Sequence, residues 1–439
     1  MASQSIQSGA SANLNSNAVS APSGEKFAGW TTSIVNCGKG YGDRDIFEMG
    51  SADVILYAVW VPTSMVTYIA SNSIYISDYT TTQSGTFSIP CGINRICCQG
   101  FMDCNNINKI IIPASVDYIS FRMAWYCPAL TLYAVDPANI YYYSDANGVI
   151  YNKAKTEMVI MPDGFSGSYS ILAGTTSIED QACCGCSGLV DITIPSTVTT
   201  IGEDAFCDCG FTSISIPNGV ITISTIAFSE CGSLTSVSIP SSVISIGDGA
   251  FSNCKKLATI TVASGNQYYM ADASSVLYNK TQTKLIQAPG KISGTYSMPN
   301  TVVSIGDDAF YACSALIAIS FSADITSIGA AAFCGTGLTS ITIPSKVASI
   351  FAYTFEACPS LVSVTIPSNI TNIGSMSFIG CTNLTTVRMQ SSTPPSLISS
   401  SKAFDSEASG FKIYVPSASL SIYQSATGWN EYKSILESY

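Results

Sequence analysis

Histidine is absent from this 439-residue chain. That removes the commonest general base, the Ser-His and Cys-His nucleophile pairings, and every His-ligated metal site. Charge is scarce as well: Asp, Glu, Lys and Arg make up 11% of residues, against a usual globular share of about 25%. The balance is acidic, with a formal net charge of −11 and no cluster of Lys and Arg. Nucleic acid and anionic membrane surfaces both need such a cluster to neutralise phosphates, so neither is an expected partner. Long apolar runs are missing too. Hydrophobic residues reach 47%, yet no uninterrupted run approaches the roughly 18 residues of a membrane span. They are spread in short periodic pieces, the pattern of many thin layers sharing one core. No leader is visible either: Met1–Gly24 is uncharged and rich in Ser and Asn, without a basic start or an apolar stretch. A leader removed from this chain, or another export route, is the expectation.

What is present is a repeat. The segment "IPSSVISIGDGAFSNCKKLATITV" from Ile239 aligns with "IPSKVASIFAYTFEACPSLVSVTIP" from Ile343. Counted from the proline, apolar residues fall at offsets 3, 6, 11, 17, 20 and 22, with Cys at 14 and the next proline at 23. The register starts at Pro90, Pro113, Leu172, Pro195, Pro217, Pro240, Pro299, Ser322, Pro344 and Pro367, ten copies in all. Offset 6 is Ile in every copy, from Ile96 to Ile373. Offset 11 is Phe at Phe101, Phe206, Phe228, Phe251, Phe310, Phe333, Phe355 and Phe378, with Ala124 and Cys183 in the other two copies. Leu-x-x-Ile-x-Ile-Pro reads as a short strand closed by a proline that has no N–H to donate. No single turn can bury these side chains alone, so the turns must stack and the side chains must form ladders.

Two insertions, at about 136–170 and 263–298, match each other without gaps. "NIYYYSDANGVIYNKAKTEMVIMPDGFSGSYSIL" begins at Asn139 and "NQYYMADASSVLYNKTQTKLIQAPGKISGTYSMP" at Asn266. Tyr-Asn-Lys, at Tyr151–Lys153 and Tyr278–Lys280, reads as a hairpin turn between short strands. A unit of several turns and one insertion has therefore been duplicated.

The repeat, the Tyr-Asn-Lys insertion and the C-terminal "IYVPSASLSIYQSATGWNEYKSI" together resemble the BspA-like leucine-rich-repeat family from about Ser64 to the end. The resemblance implies a surface or secreted protein of the kind found in bacteria and mucosal protozoa and implicated in adhesion. The chain departs from commoner leucine-rich repeats, in which Asn or Cys follows the strand. Thr197, Gly219, Ser242, Thr301 and Lys346 stand there, so no Asn ladder is expected. Phe206–Phe211 and Phe333–Leu338 are one residue short, so the Cys ladder slips at Cys334. Upstream, "FAGWTTS" at Phe27–Ser33, Tyr41, Met49 and "ADVILYAVW" at Ala52–Trp60 are similar to the Listeria–Bacteroides repeat, a small β module of surface proteins.

The expected fold is thus a mostly β repeat solenoid with short strands, two hairpin insertions and a strand/helix cap. Its expected parts are a tail at 1–24, a β module at 25–63, the solenoid at 64–389 and the cap at 390–439. The cap should comprise a strand at Phe411–Pro416 and a helical end whose Leu420, Tyr423, Trp429, Tyr432 and Ile435 cover the last turn.

Seventeen cysteines, an odd number, cannot all pair within the chain. Nine hold the ladder offset: Cys104, Cys127, Cys186, Cys209, Cys231, Cys254, Cys313, Cys358 and Cys381. Small, buried, reduced thiols are the expectation there. Cys183, Cys184, Cys186, Cys207 and Cys209 could cluster across one turn, but their spacing is not that of a zinc site, and no metal or cofactor is expected. Asp145 and Asp272 recur in the insertions, and Asp204, Asp248 and Asp308 recur in the turn after Ile-Gly. Recurrence at equivalent positions points to turn chemistry rather than to a catalytic pair, so no enzyme is expected. Offsets 18, 19 and 21 point away from the core and form the candidate interaction face: Thr212, Ser213, Ser215, Thr235, Ser236, Ser238, Thr339, Ser340, Thr342, Val362, Ser363 and Thr365. Such a flat array of hydroxyls suits a glycan, an extended peptide or ice, and β propensity with solubility explains it equally well. The functional expectation is an extracellular or cell-surface adhesin or scaffold for protein or glycan ligands. The alternative is a structural protein that assembles with copies of itself into a fibre or coat, drawn from the low charge.

Overall fold

The fold is seen in a computed structural model that describes residues 11–13, 20–33, 37, 39–41, 46–48, 55–70, 73–79, 82–397, 401–405 and 408–439. Its two compact units are Met1–Cys209 and Gly210–Tyr439. Both are built from β turns stacked in a solenoid, and among the described residues helix is confined to the C-terminal end.

Each repeat contributes two strands. The first is the stretch before the proline. Ser213–Ser215, Ser236–Ile239 and Thr259–Val262 pair in parallel, with Ser213 opposite Ser236 and Ser236 opposite Thr259. The second is a two-residue strand ending in the offset-6 Ile, such as Ser177–Ile178 against Thr200–Ile201. Partners lie 23 residues apart, so every position stacks on its own equivalent and Ile falls on Ile. Nine of the ten offset-6 isoleucines are buried, and Ile246 is partly exposed.

Between these strands the chain bends through two left-handed residues per turn. Offset 9 holds Arg122 (φ 51°), Asp204 (55°), Ile226 (49°), Asp308 (55°) and Tyr353 (60°), and offset 13 holds Tyr126, Asp208, Glu230 and Asn253. For residues other than Gly, Asn and Asp this conformation is costly. It persists because this wall is itself a ladder: Phe228, Phe310 and Phe355 each donate N–H to the following turn, at 2.8 Å in all three cases. The recurring Asp204 and Asp308 therefore serve the bend, as their repetition indicates.

The bend aims the offset-11 ring inward. Phe310, Phe333, Phe355 and Phe378 stack at centroid separations of 5.1, 5.5 and 5.3 Å with rings within 10° of parallel. Phe404 continues the column at 5.4 Å from Phe378. Stacking thus runs one turn beyond Met389, where the repeat was expected to stop. The "SSTPPSL" stretch lengthens this turn, so Leu397 takes the place opposite Ile373 at a spacing that hides it from the 23-residue register.

Each insertion is two consecutive hairpins sharing a middle strand. Tyr142–Ser144, Ile150–Asn152 and Glu157–Ile160 are antiparallel, and Tyr269–Ala271, Leu277–Asn279 and Lys284–Gln287 repeat them. Tyr151 and Asn152 end the middle strand, so the turn begins at Lys153 rather than at the Tyr. The signature residues are the polar skeleton. Asn139 is fully buried, donates to Pro113 and Val116 carbonyls at 3.0 and 2.8 Å, and accepts from the N–H groups of Tyr141 and Tyr142. Asn266 repeats every one of these bonds. Buried amides of this kind specify one docking of the insertion.

At the N-terminal end, Glu25–Thr31, Gly40–Tyr41 and Tyr57–Pro62 form an antiparallel sheet with Phe27 packed edge-on against Trp30 and Trp60. Of the residues expected in this module, Met49 and 52–54 lie outside the described set, as does most of 1–24. A Cys37–Cys91 disulfide ties the module to the first turns.

At the other end Lys412–Val415 pairs with Thr386–Arg388. A short helix, Leu420–Ser425, and a 3₁₀ segment, Trp429–Ile435, then cross the open core. Tyr423, Trp429 and Tyr432 are buried, and Leu420 and Ile435 pack beside them. The chain end is not helical, however: Leu436–Ser438 adds a parallel strand to Ile413–Val415. The sheet edge is therefore three residues long and carries Glu437, paired with Lys412 at 2.8 Å.

Three outcomes follow from this packing. Phe333→Ala, which opens the ring column between two neighbours, should lower unfolding free energy by about 3–5 kcal/mol in urea titration; a loss below about 1 kcal/mol would contradict the stack. Burial, with the charges of Asp307 and Asp248 adding, pushes the Asp308 carboxyl up to about 6. A raised carboxyl supports folding below its unfolded value of about 3.9, and that support is lost as pH rises through the folded value. Asp308→Asn should thus raise the melting temperature at about pH 7.5 and leave it unchanged at about pH 4. Finally, truncation after Gln390 uncovers Leu384, Val387 and Met389 and should give aggregates by light scattering; a monomer of unchanged melting temperature would show that the cap protects nothing.

Candidate functional site

Ladder thiols are explained by the carbonyl they meet. Cys127, Cys209, Cys254, Cys358 and Cys381 each donate Sγ–H to the offset-11 carbonyl of the preceding turn, at 3.0–3.2 Å. A thiol is small enough for the closed turn and still satisfies that oxygen, which Ala or Val would leave with one bond fewer. At the slip, Thr336 takes the ladder place with its hydroxyl on Phe333 O at 2.9 Å, and Cys334 is displaced beside Glu356. The position after the proline works likewise: Thr197 and Ser242 donate to Thr175 O and Val220 O at 2.6 Å, where other leucine-rich repeats use Asn.

The five neighbouring sulfurs do not converge. Cys183, Cys186 and Cys209 are enclosed in the core, and burial pushes all three thiols up. Cys184 has the Arg122 guanidinium beside it, and Cys207, partly exposed, bonds to Cys184. Among the described residues no group of three or more Cys, Asp or Glu is arranged to hold a metal ion. The recurring carboxylates are structural in the same sense. Asp145 accepts N–H from Asn147 and Val149 and the hydroxyl of Tyr169 at 2.7 Å, and Asp272 does the same for Ser274, Val276 and Tyr296. Asp204 pairs with Arg122 and Asp248 with Lys284.

The candidate interaction residues fall where the register puts them, on the outer face of the parallel strands. Thr212, Ser213, Ser215, Thr235, Ser236 and Ser238 are exposed on one sheet of the second unit. Thr339, Ser340, Thr342 and Val362 are exposed on another, with Ser363 and Thr365 partly so. Ser340 stands opposite Ser363, which stands opposite Thr386. The offset-18 Thr is partly spoken for: Thr235 Oγ1 donates to Thr212 O at 3.0 Å. The Ser at offsets 19 and 21 are the free hydroxyls of this face in the sense of position, regularly spaced at the strand separation of about 4.8 Å.

The first unit carries a concavity that the sequence did not announce. A surface pocket of about 360 Å³ opens where the first insertion meets the turns around Ile119 and Ile178. Tyr118, Phe121, Tyr141 and Tyr142 line it together with Glu157 and Glu179. Tyr142 is held in place by accepting the Ile119 N–H at 3.1 Å, as Tyr269 accepts that of Ile246 at 2.8 Å in the second insertion. The duplicate keeps Tyr268 and Tyr269 where the first copy has Tyr141 and Tyr142, but not the rest of the lining: 127 residues on, Tyr118, Phe121 and Glu157 correspond to Ser245, Asp248 and Lys284. There Lys284 neutralises Asp248 at 3.0 Å. Tyr118, Phe121 and an unneutralised Glu157 are therefore particular to the first copy rather than demanded by the fold.

No helix among the described residues is long and apolar enough to cross a membrane. The model of the BspA type leucine rich repeat region matches residues 65–162, 176–296 and 290–409. In structure the chain is similar to a leucine rich cell surface protein from Faecalibacterium prausnitzii, 22% identical, with a TM-score of 0.53 over 84% of this chain and 97% of that one. It is also similar to the pneumococcal vaccine antigen PcpA, 16% identical, with a TM-score of 0.51 over 87% and 96% of the two chains. At such identities the likeness speaks for the fold alone, and no curated protein matches the chain. With the family matched over most of its length, the chain belongs to the BspA-type leucine-rich-repeat family.

Proposed function

We propose that this protein is a non-enzymatic adhesin or interaction scaffold displayed outside the cell, binding protein or glycan ligands through the outer faces of its turns. The observation that carries the reading is the contrast between interior and exterior. The ladder thiols and the hydroxyls after the proline are consumed by bonds to the preceding turn, whereas the hydroxyl rows of the sheet face and the aromatic pocket are not required by the stacking. Hydroxyl rows at fixed spacing match the donors and acceptors of an extended glycan or peptide, and exposed tyrosines supply flat apolar area at little entropic cost. Exposed Val362 and Ile317 lie on the same kind of face, which adds apolar contact to the polar rows. The two similar structures come from proteins described as a cell surface protein and a vaccine antigen, which agrees with display outside the cell.

The test uses the full chain against arrays of immobilised matrix proteins and glycans. Saturable binding is expected, with loss of about tenfold or more in affinity for Ser213→Lys/Ser236→Lys/Ser340→Lys or for Tyr141→Ala, since buried interface positions tolerate neither bulk nor truncation. Absence of saturable binding, together with ordered filaments of the purified protein in electron microscopy, would replace this reading with that of a self-assembling fibre or coat.

A further inference from the structure

Five of the fifteen free thiols lie outside both the ladder offset and the ring column: Cys97, Cys98, Cys184, Cys207 and Cys334. Cys184 and Cys207 hold the same position in consecutive turns, offset 12, where other turns carry Met102, Trp125, Ser229, Ile379 or a single Cys334. Nothing about the solenoid requires cysteine there. Residues in equal register on neighbouring turns sit about one strand spacing apart, close to 4.8 Å, inside the Cα range of about 4.4–6.8 Å that a disulfide accepts. Gly185 N–H donates to Cys207 O at 2.8 Å, which fixes the two turns side by side at this point.

The surroundings are those of an activated thiol. Arg122 brings Nη2 to 3.3 Å from Cys184 Sγ and to 3.2 Å from Asp204 Oδ2. Its guanidinium also lies over the Trp125 ring at 4.4 Å, and Gln181 Nε2 holds the same Asp204 oxygen at 3.3 Å. Asp204 and the Trp125 ring thus hold the cation beside the sulfur. Cys184 is 8% exposed, and its neighbour Cys207 is partly exposed. The charged and titratable groups that face Cys184 are Cys207, Arg122 and Asp204, and Cys183, Cys186 and Cys209 from the core. A hydrogen bond from Cys207, then the Arg122 charge, outweigh burial and Asp204, and hold the Cys184 thiol below its ordinary range. A paired thiol alone does not single this site out, because a hydrogen bond from Cys381 holds the Cys358 thiol down in the same way. Cys104 with Cys127 and Cys358 with Cys381 also touch, but those pairs are sealed in the core without a cation.

We propose that Cys184 and Cys207 form a peroxide-reactive dithiol site, with Cys184 as the nucleophile, Cys207 as the resolving thiol and Arg122 as the residue that positions and stabilises the thiolate. The oxidant is a hydroperoxide. The Cys184 thiolate attacks one peroxide oxygen and the O–O bond breaks. Sulfur is oxidised to the sulfenic acid, and the other oxygen leaves as hydroxide and is protonated to water. The Cys207 sulfur then attacks Cys184, the S–O bond breaks, and the departing oxygen takes the Cys207 proton as a second water. Two thiols and one hydrogen peroxide become one disulfide and two waters, and an external dithiol reverses the change.

Hydrogen peroxide is titrated against the reduced full chain, and linked peptides are mapped by mass spectrometry. The expected result is a Cys184–Cys207 link formed before any other. Cys207→Ser should stop at a Cys184 sulfenic acid trapped by dimedone, and Cys184→Ser should give neither product. Iodoacetamide labelling of Cys184 should show a pH midpoint below the free-thiol value of about 8.5; Arg122→Gln should raise it and slow labelling at pH 7 by about tenfold, with recovery in Arg122→Lys. A merely structural Arg122 would move stability but not this midpoint. The proposal fails if peroxide gives no Cys184–Cys207 link, or if Cys104–Cys127 or Cys358–Cys381 forms as readily.

Discussion

Everything in this molecule depends on turns that cannot bury their own side chains and therefore stack in exact register at one strand spacing. Register turns each side chain into a column, and a column tolerates only residues that pack or bond with copies of themselves. Ile, Phe and Leu meet this by apolar contact, worth roughly 1.5–3 kcal/mol for each side chain buried. Cys, Thr and Ser meet it by donating to a carbonyl of the turn before, as Cys254 does to Phe228 and Ser242 to Val220. The same register imposes strain. Ile226 and Tyr353 occupy left-handed backbone because the bend recurs at that offset whatever the residue.

The register also explains why the low charge is tolerable. Like charges at one offset would face each other about 4.8 Å apart along a column. Some of the charge that does occur is paired across the fold, as Arg122 with Asp204 and Lys412 with Glu437, and at Asp308 burial beside Asp307 and Asp248 raises the carboxyl. Hydroxyls avoid this repulsion, so a face dominated by Ser and Thr is what a long parallel sheet permits as well as what a ligand surface needs. Function on such a scaffold is written in departures from the repeat: Tyr118, Phe121 and Glu157 against Ser245, Asp248 and Lys284 in the duplicate, and Cys184 with Cys207 against the varied residues of other turns.

Sequence by itself determined the period, the inward offsets, the Phe and Cys ladders, the duplicated insertions and the covering segment at the C-terminus. These were legible because a repeated position announces itself many times over in one chain. Tertiary structure alone decided the rest. The Cys37–Cys91 bridge, the meeting of Arg122 with Cys184 and Asp204, the pocket between insertion and turns, the lengthened turn that ends in Phe404, and the final strand at Leu436–Ser438 each join positions that occur once. A contact between non-equivalent residues has no period, so only the folded path of the chain, which sets which singular residues face one another, could reveal it.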